Sequence, residues 1–582
     1  MFAPPFRVQP LKNKLHKMKT EQYDVVILGG GLAGLLLSLQ LRKQKPDIRL
    51  LVLEMREGQA PEAAFKIGES SVELGTHYMR EVLGLKGYLD SKHLPKNGQR
   101  FFMSPRHKDQ IHKRVELGPR IKLPVPSHQI DRGIFENDLI DMTRQLGTEF
   151  LLGARVQGVD IDRDNGHTVS YTCGGLQHTV KTHWVVDATG RSSFMKRKLG
   201  FAEEYPHNVS SSWFRIDHKV DVDTWSSDPT WHSRLKVDGI RHLSTVHLMD
   251  KGYWVWIIPL VGGRTSIGIV ADEAIHPFNT YDTLEKTLAW IGRNEPQLAR
   301  ELSPYHAKIM DFLVMKHFAY ASKETYNTDR WTVVGEAGLF GDPFYSPGID
   351  FITLANTFTG DLILRDLSGE DVMFRTKFYA TLIRALYDNW MPLYKGQYPL
   401  WGSTQVMVTK IFWDWGAYWS INTLLFVNKA LTDLDMMRQV ATGPTSFLAR
   451  YGELSAQMQR LFRDMMPYDT DDITDRYADP FDMDYMRAFQ QDIVEKQYPK
   501  EEVLQKVVSN FELLEKVAAE MFRLASNLAH GTPMDIDVDP YTMSLSGEQR
   551  TSQNSKVLGR DPYVADQVCR MWLYPLNEAV MA

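Results

Sequence analysis

Three glycines carry the first chemical signal. Gly29-x-Gly31-x-x-Gly34 lies between the apolar run Asp24-Val-Val-Ile-Leu28 and a helical pattern from about Leu32 to Lys43. Glycines at this spacing permit a tight turn and let the backbone approach a pyrophosphate, whose charge then sits at a helix N-terminus. A second apolar run ends in Glu54, 20 residues beyond Gly34, where a carboxylate can bind ribose hydroxyls. Two further groups are chemically unusual. Trp254-Val-Trp256-Ile-Ile258-Pro259 projects Trp254, Trp256 and Ile258 from one face of a strand, a pattern that most often fills core. Lys96, in Lys96-Asn-Gly98-Gln-Arg-Phe101, belongs to a residue type that is normally solvated. Withdrawn from water, such an amine can be partly deprotonated and nucleophilic, or can donate hydrogen bonds while charged.

The elements that must position these residues follow from the hydrophobic pattern. Strand, glycine turn, helix and strand within about 30 residues make a βαβ unit, so a parallel α/β core is expected. The segment 209–272 alternates Val, Trp, Ile and Thr with polar residues, as an antiparallel sheet would. After about residue 376 the texture is helical and rich in aromatics, with Phe412, Trp413, Trp415, Tyr418 and Trp419 close together. Residues 468–484 hold seven aspartates and no lysine and read as a solvated loop. Residues 500–530 read as an amphipathic helix ended by Gly531 and Pro533.

The 582 residues exceed one typical domain, and the net charge of -5 leaves no basic footprint for nucleic acid. Two cysteines, Cys173 and Cys569, are too few for a disulfide framework and fit a reducing cytoplasm. The first twenty residues do not read as a secretory signal, and Met18 is a plausible alternative start. The most apolar stretch, Val25 to Leu41, carries four glycines in six positions, so no integral membrane segment is expected.

Asp187-Ala-Thr-Gly190-Arg191, after a hydrophobic strand, resembles the second FAD signature of hydroxylase-type flavoproteins, and this resemblance selects FAD over NAD. It implies an FAD-binding, Rossmann-like core of the hydroxylase and glutathione-reductase type. Gln129 and Arg132 resemble that family's flavin-contacting segment, and Glu336, in Gly335-Glu336-Ala337-Gly338, stands where an aspartate normally meets the ribityl chain. The domain reading is a tail at 1–20, an FAD core at 21–375 with an interleaved antiparallel substrate sheet at about 205–325, and a mainly helical region at 376–582. With no second glycine fingerprint, reduced FAD is expected from a separate flavin reductase.

The Trp254–Pro259 motif, Lys96 and the upstream Lys66-Ile-Gly-Glu-Ser-Ser71 resemble the flavin-dependent halogenases. In that family reduced FAD and oxygen convert halide to hypohalous acid, which travels past the tryptophan pair to an essential lysine beside the arene. The resemblance implies roles for Lys96, Trp254, Trp256 and Tyr345 at the reacting end. It also implies a halide site in Ser346-Pro347-Gly348-Ile349, served by Ser346, Gly348 and Ile349.

Two departures refine this. Tyr345 stands where free-tryptophan halogenases carry a glutamate, and members acting on phenols and carrier-bound pyrroles also lack that glutamate. Pro347 has no N–H to offer a halide, so bromide is expected to be preferred over chloride. The implied activity is halogenation of a small electron-rich arene, free or bound to a carrier protein. Two alternatives stay open: a flavin monooxygenase or dehydrogenase on the same scaffold, and a non-catalytic flavoprotein partner of a carrier protein.

Overall fold

The computed structural model describes residues 21–61, 67–125, 127–442, 447–470, 473–494 and 497–575; the 1–20 tail and Lys66 lie outside them. The expected βαβ unit forms from β1 (Gln22–Leu28), α1 (Leu32–Gln44) and β2 (Leu50–Glu54). Val25 to Leu28 are wholly buried, as a parallel strand covered on both faces requires. β1 lies between β2 and the strand Leu176–Asp187, both parallel to it. The parallel sheet continues to Trp331–Val333 on one side and Glu149–Leu152 on the other. Leu28 is in register with Leu53 and Asp187, and Asp187 with Val333. Four strands therefore end along one edge, where the loops after them gather as they do around ligands in open α/β sheets.

The second sheet is wider than its sequence segment suggests. Its antiparallel centre is Val209–Ile216, Arg264–Asp272, Tyr253–Leu260 and Thr245–Asp250. Gln99–Met103 adds parallel to Thr245–Asp250, Val115–Leu117 follows, and Tyr477–Ala478 from the helical region completes that edge. The expected alternation holds along Tyr253–Leu260. Tyr253, Val255 and Ile257 pack with Phe214 and Trp290 on one face, while Trp254, Trp256 and Ile258 join the large core shared with the FAD sheet.

The helical region is continuous with that core, which runs from Val25 to Trp572. The helix Met373–Trp390 spans the expected boundary at 375/376. Every residue of the helix Thr404–Ala417 is buried, so its aromatic run is interior. Lys500–His530 is one helix, closed by Gly531 in the left-handed conformation at φ 65°. The aspartate-rich segment is not simply solvated. Asp479 is buried and accepts from the N–H groups of Phe481 and Arg120, and Asp469 accepts from Val406 N–H and Tyr574 Oη. These carboxylates pin the segment because a buried backbone donor needs a partner. Among the described residues no helix is long and apolar enough to cross a membrane.

Candidate active site

A groove of 810 Å³ opens at the edge where the parallel strands end. Gly29 (φ 102°) lets the turn pass against the Ala188 carbonyl, and a Cβ at Gly34 would collide with the Gly29 carbonyl. Gly31 and Gly190 differ: a Cβ on either would meet nothing and would point into open space beside the groove. Glu54 accepts hydrogen bonds from Gly30 N–H (2.7 Å) and Arg56 N–H (2.8 Å), which fixes its carboxylate at the groove. Arg56 Nη1 and Nη2 are buried with no hydrogen-bond partner among the described residues. A guanidinium left open in this way fits an anionic ligand such as a pyrophosphate. Volume, glycine cradle and unsatisfied arginine all fit a dinucleotide.

The other residues expected at the cofactor divide into two kinds. Arg132 and Glu336 line the groove, and both also line a second cavity behind it. Arg132 donates to Ile67 O (2.7 Å) and Glu136 Oε1 (2.6 Å), leaving its Nε without a partner among the described residues. Asp187 and Gln129 turn away from the groove. The Asp187 carboxylate accepts from Thr189 N–H and Oγ1 and from Met195 N–H, so it shapes the turn. Gln129 donates to Thr245 Oγ1 at 3.1 Å inside the protein. Arg56 had no motif to announce it, apart from its place two residues after Glu54.

The cavity behind the groove, 90 Å³ and hereafter the passage, shares Ile67, Arg132, Met315, Glu336 and Ile352 with the groove. Trp254, Trp256 and Ile258 form one wall, with His247 stacked on Phe101 at 4.5 Å beside them. Trp256 lies across Gly268, where a Cβ would collide with its ring. Trp254 Nε1 donates to Tyr398 Oη (3.3 Å), and Tyr398 donates to Asp342 (2.6 Å). Burial pushes His247 down to about 3, so this wall is uncharged at neutral pH. Ser346, Pro347, Gly348 and Ile349 line the same cavity, where the helix Gly348–Leu367 begins. Ser346 N–H is taken by Pro343 O (2.9 Å) and Pro347 has none, so Gly348 and Ile349 supply the first-turn N–H groups there.

Beyond Pro347, which borders both spaces, lies an aromatic chamber of 80 Å³ containing Lys96. Its walls include Tyr345, Trp413, Trp415, Tyr418 and Trp419, four of them from the helical region. Lys96 ends the short strand Leu94–Lys96 and is buried, with Nζ donating to Ser71 O at 2.8 Å. Ser70, one residue earlier, faces the passage and meets Ser346 Oγ at 3.2 Å. Burial pushes the Lys96 amine down to about 8, against the pull of Glu73 and Asp350. Asp350, also in the chamber wall, is pushed up to about 7 by burial. The tyrosine of the Ser-Pro-Gly segment donates to Asp414 at 2.8 Å.

Residues 22–274 match the FAD binding domain family. The flavin-dependent halogenase chlA of Dictyostelium discoideum is 27% identical over 70% of this chain and 71% of its own length. A 1H-pyrrole-2-carbonyl peptidyl-carrier-protein brominase of Pseudoalteromonas luteoviolacea is 26% identical over 64% of this chain and 82% of its own. The chain thus carries an FAD-binding domain over residues 22–274 and is similar in sequence to flavin-dependent halogenases. In fold the chain is like the crystal structure of halogenase PltM, with a TM-score of 0.59 at 16% identity over 85% of this chain and 96% of that one.

The two kinds of glycine should separate on mutation. Gly31→Ala places a methyl where the cofactor approaches and should cut FAD affinity by an order of magnitude or more while leaving apoprotein stability unchanged. Gly34→Ala should lower both, costing roughly 1–3 kcal/mol by overpacking. Flavin absorbance after gel filtration and urea unfolding of the apoproteins check this; equal stability losses would refute the distinction.

Lys96 should cost stability. Between about pH 8 and its ordinary value of 10.5 the folded chain binds fewer protons than the unfolded one, so stability rises with pH across that window. Below it, burying the cation costs roughly 3 kcal/mol. Lys96→Met should therefore be more stable than wild type by up to that amount at pH 7, with the gap closing towards pH 10.5. A variant less stable at pH 7 in urea titrations would contradict this.

Proposed function

We propose that this chain is a flavin-dependent halogenase of a small, electron-rich arene, using a halide ion and reduced FAD delivered by a separate flavin reductase. One observation carries the reading: a buried amine, Lys96, in an aromatic chamber that shares Pro347 with the cavity lined by Trp254 and Trp256, which in turn shares Arg132 and Glu336 with the flavin groove. Reduced FAD and oxygen would supply the oxidising equivalents that convert halide to hypohalous acid. Gly29, Gly31, Gly34, Glu54, Arg56, Arg132, Gly190 and Glu336 would hold the cofactor, with Asp187 and Gln129 supporting its loops. The first-turn N–H groups of Gly348 and Ile349 would hold the halide, joined by the Ser346 hydroxyl on turning from Ser70. The tryptophans would keep arene away from flavin, and Lys96 would hold and orient the hypohalous acid beside Tyr345 and the substrate. A carrier-bound arene is supported by the named substrate of the pyrrole brominase relative. Two free cysteines support a reducing cytoplasm.

The test is incubation with a flavin reductase, FAD, NADH, bromide and a panel of phenols, indoles and pyrroles. A bromine isotope doublet in a product is expected. Lys96→Ala should keep FAD binding and oxygen consumption and lose halogenated product by roughly 100-fold or more. An oxygenated product formed equally without halide would move the reading to a monooxygenase.

Bromide should be used in preference to chloride. Losing one N–H costs an anion site roughly 1.5–3 kcal/mol, and the more strongly hydrated chloride depends more on well-aimed donors. Equimolar competition, counted by mass spectrometry, should give mainly brominated product. Predominant chlorination would show that Gly348, Ile349 and Ser346 suffice for chloride.

A further inference from the structure

The Lys96 chamber contains a buried polar chain that the halogenase reading does not use. Tyr345 Oη donates to Asp414 Oδ2 at 2.8 Å. Lys410 Nζ donates to the same oxygen at 2.8 Å and to Gln459 Oε1 at 2.5 Å, while Gln459 Nε2 donates to Asp414 Oδ1 at 2.8 Å. Asp414, Lys410 and Gln459 are all buried, and Tyr345 and Asp414 both line the chamber. Because the Tyr345 proton is committed to Asp414, the lone pairs of Oη are left to accept from something else. A ligand with an O–H is the complement.

We propose that Tyr345 and Asp414 form a proton relay that accepts the hydroxyl proton of a phenolic substrate, so that Asp414 replaces the carboxylate missing at position 345. This rests on the halogenase reading for its electrophile, hypohalous acid, and names the substrate class: phenols with a free O–H. As a ring carbon forms its bond to halogen, the phenol proton passes to Tyr345 Oη and the tyrosine proton passes to Asp414. The oxygen–halogen bond breaks, and the hydroxide leaving it takes a proton from the Lys96 ammonium and departs as water. The dienone left behind gives its ring C–H proton to the Lys96 amine and regains its O–H proton from Asp414 through Tyr345. Both groups are restored, and phenol plus hypohalous acid has become halophenol plus water. The relay works because the phenol becomes strongly acidic only as the carbon–halogen bond forms, so a base is needed in the transition state rather than before it. Burial raises Asp414 towards the proton it must take, and Lys410 and Gln459 keep its oxygens fixed.

A purely structural role for the chain predicts different behaviour, which methyl ethers expose. Phenol and anisole are titrated into the full-length FAD-bound protein without reductant, read by quenching of the chamber tryptophans. Wild type should bind phenol up to roughly tenfold more tightly than anisole. Tyr345→Phe, which leaves Asp414 paired with Lys410 and Gln459, should erase that ratio by weakening phenol alone. In turnover with bromide, Asp414→Asn should lower bromination of phenol by roughly 100-fold and that of anisole by a far smaller factor. An unchanged binding ratio in Tyr345→Phe, or equal losses on both arenes in Asp414→Asn, would overturn the relay. If wild type brominates no arene of the wider panel of phenols, indoles and pyrroles, the halogenase reading falls, and a phenol preference abolished by Tyr345→Phe would still establish the hydroxyl-accepting site.

Discussion

The burial of the Lys96 ammonium is the constraint to which the rest of the molecule answers. A cation moved out of water is tolerated only where hydrogen bonds and opposite charge offset the lost hydration. Lys96 receives one carbonyl, Ser71 O, and the nearby charges of Glu73 and Asp350. Each of those carboxylates must be held in turn. Asp350 takes Gly75 N–H (2.9 Å) and Tyr418 Oη (2.6 Å), and Glu73 takes the side-chain N–H groups of Trp419 and Gln490 at 3.0 Å. The buried amine is therefore accompanied by two acids, and those acids take donors from a different part of the chain.

That requirement explains why the helical region is fused into the core. Its aromatic run meets the chamber residue by residue. Trp415 donates to Gln99 (3.2 Å), Tyr418 to Asp350 and Trp419 to Glu73, while Asp414 accepts from Tyr345. Aromatic residues suit this task because each brings a large apolar surface that excludes water and one polar tip that satisfies a buried group. The strand Tyr477–Ala478, paired with Val115–Leu117 at the edge of the second sheet, ties the same region down from the other side. A roof attached only by apolar contact would leave the carboxylates beneath it unpaired, at a cost of about 1–3 kcal/mol for each unsatisfied group.

The sequence was most informative where function depends on backbone geometry. Gly29, Gly31 and Gly34 could be read because a tight turn and close approach leave a fixed spacing, and Trp254, Trp256 and Ile258 because a strand alternates with period two. It was less informative where function depends on the direction of a side chain. Asp187 and Gln129 lie in recognisable motifs, yet one holds a turn and the other holds Thr245, which spacing alone does not reveal. Asp414 and Arg56 are harder still. Tyr345 and Asp414 are 69 positions apart, and no periodicity links them. The aspartates near residue 475 resembled solvent-exposed charge because composition does not record which carboxylates face a backbone N–H.

The Tyr345-Ser346 pair shows how passage and chamber are kept both adjacent and distinct. Both residues have positive φ, 70° and 62°, a conformation that costs a side-chain-bearing residue about 1–2 kcal/mol. In exchange, two consecutive side chains serve different spaces: Tyr345 reaches Asp414 in the chamber, and Ser346 reaches Ser70 in the passage. Pro347 then starts the helix whose first N–H groups close the passage, with its φ already near the helical value at -77°. The opposing wall repeats the device, since Ser70 faces the passage while the carbonyl of Ser71 holds Lys96. An extended pair of residues at either wall would also alternate its side chains, but it would not turn the chain into the helix that supplies the donors. The strained turn does both within three residues, and the hydrogen bonds at Asp414, Ser70 and Pro343 O keep it in place. Pro347 thereby fixes the geometry that brings the N–H groups of Gly348 and Ile349 to the wall of the passage.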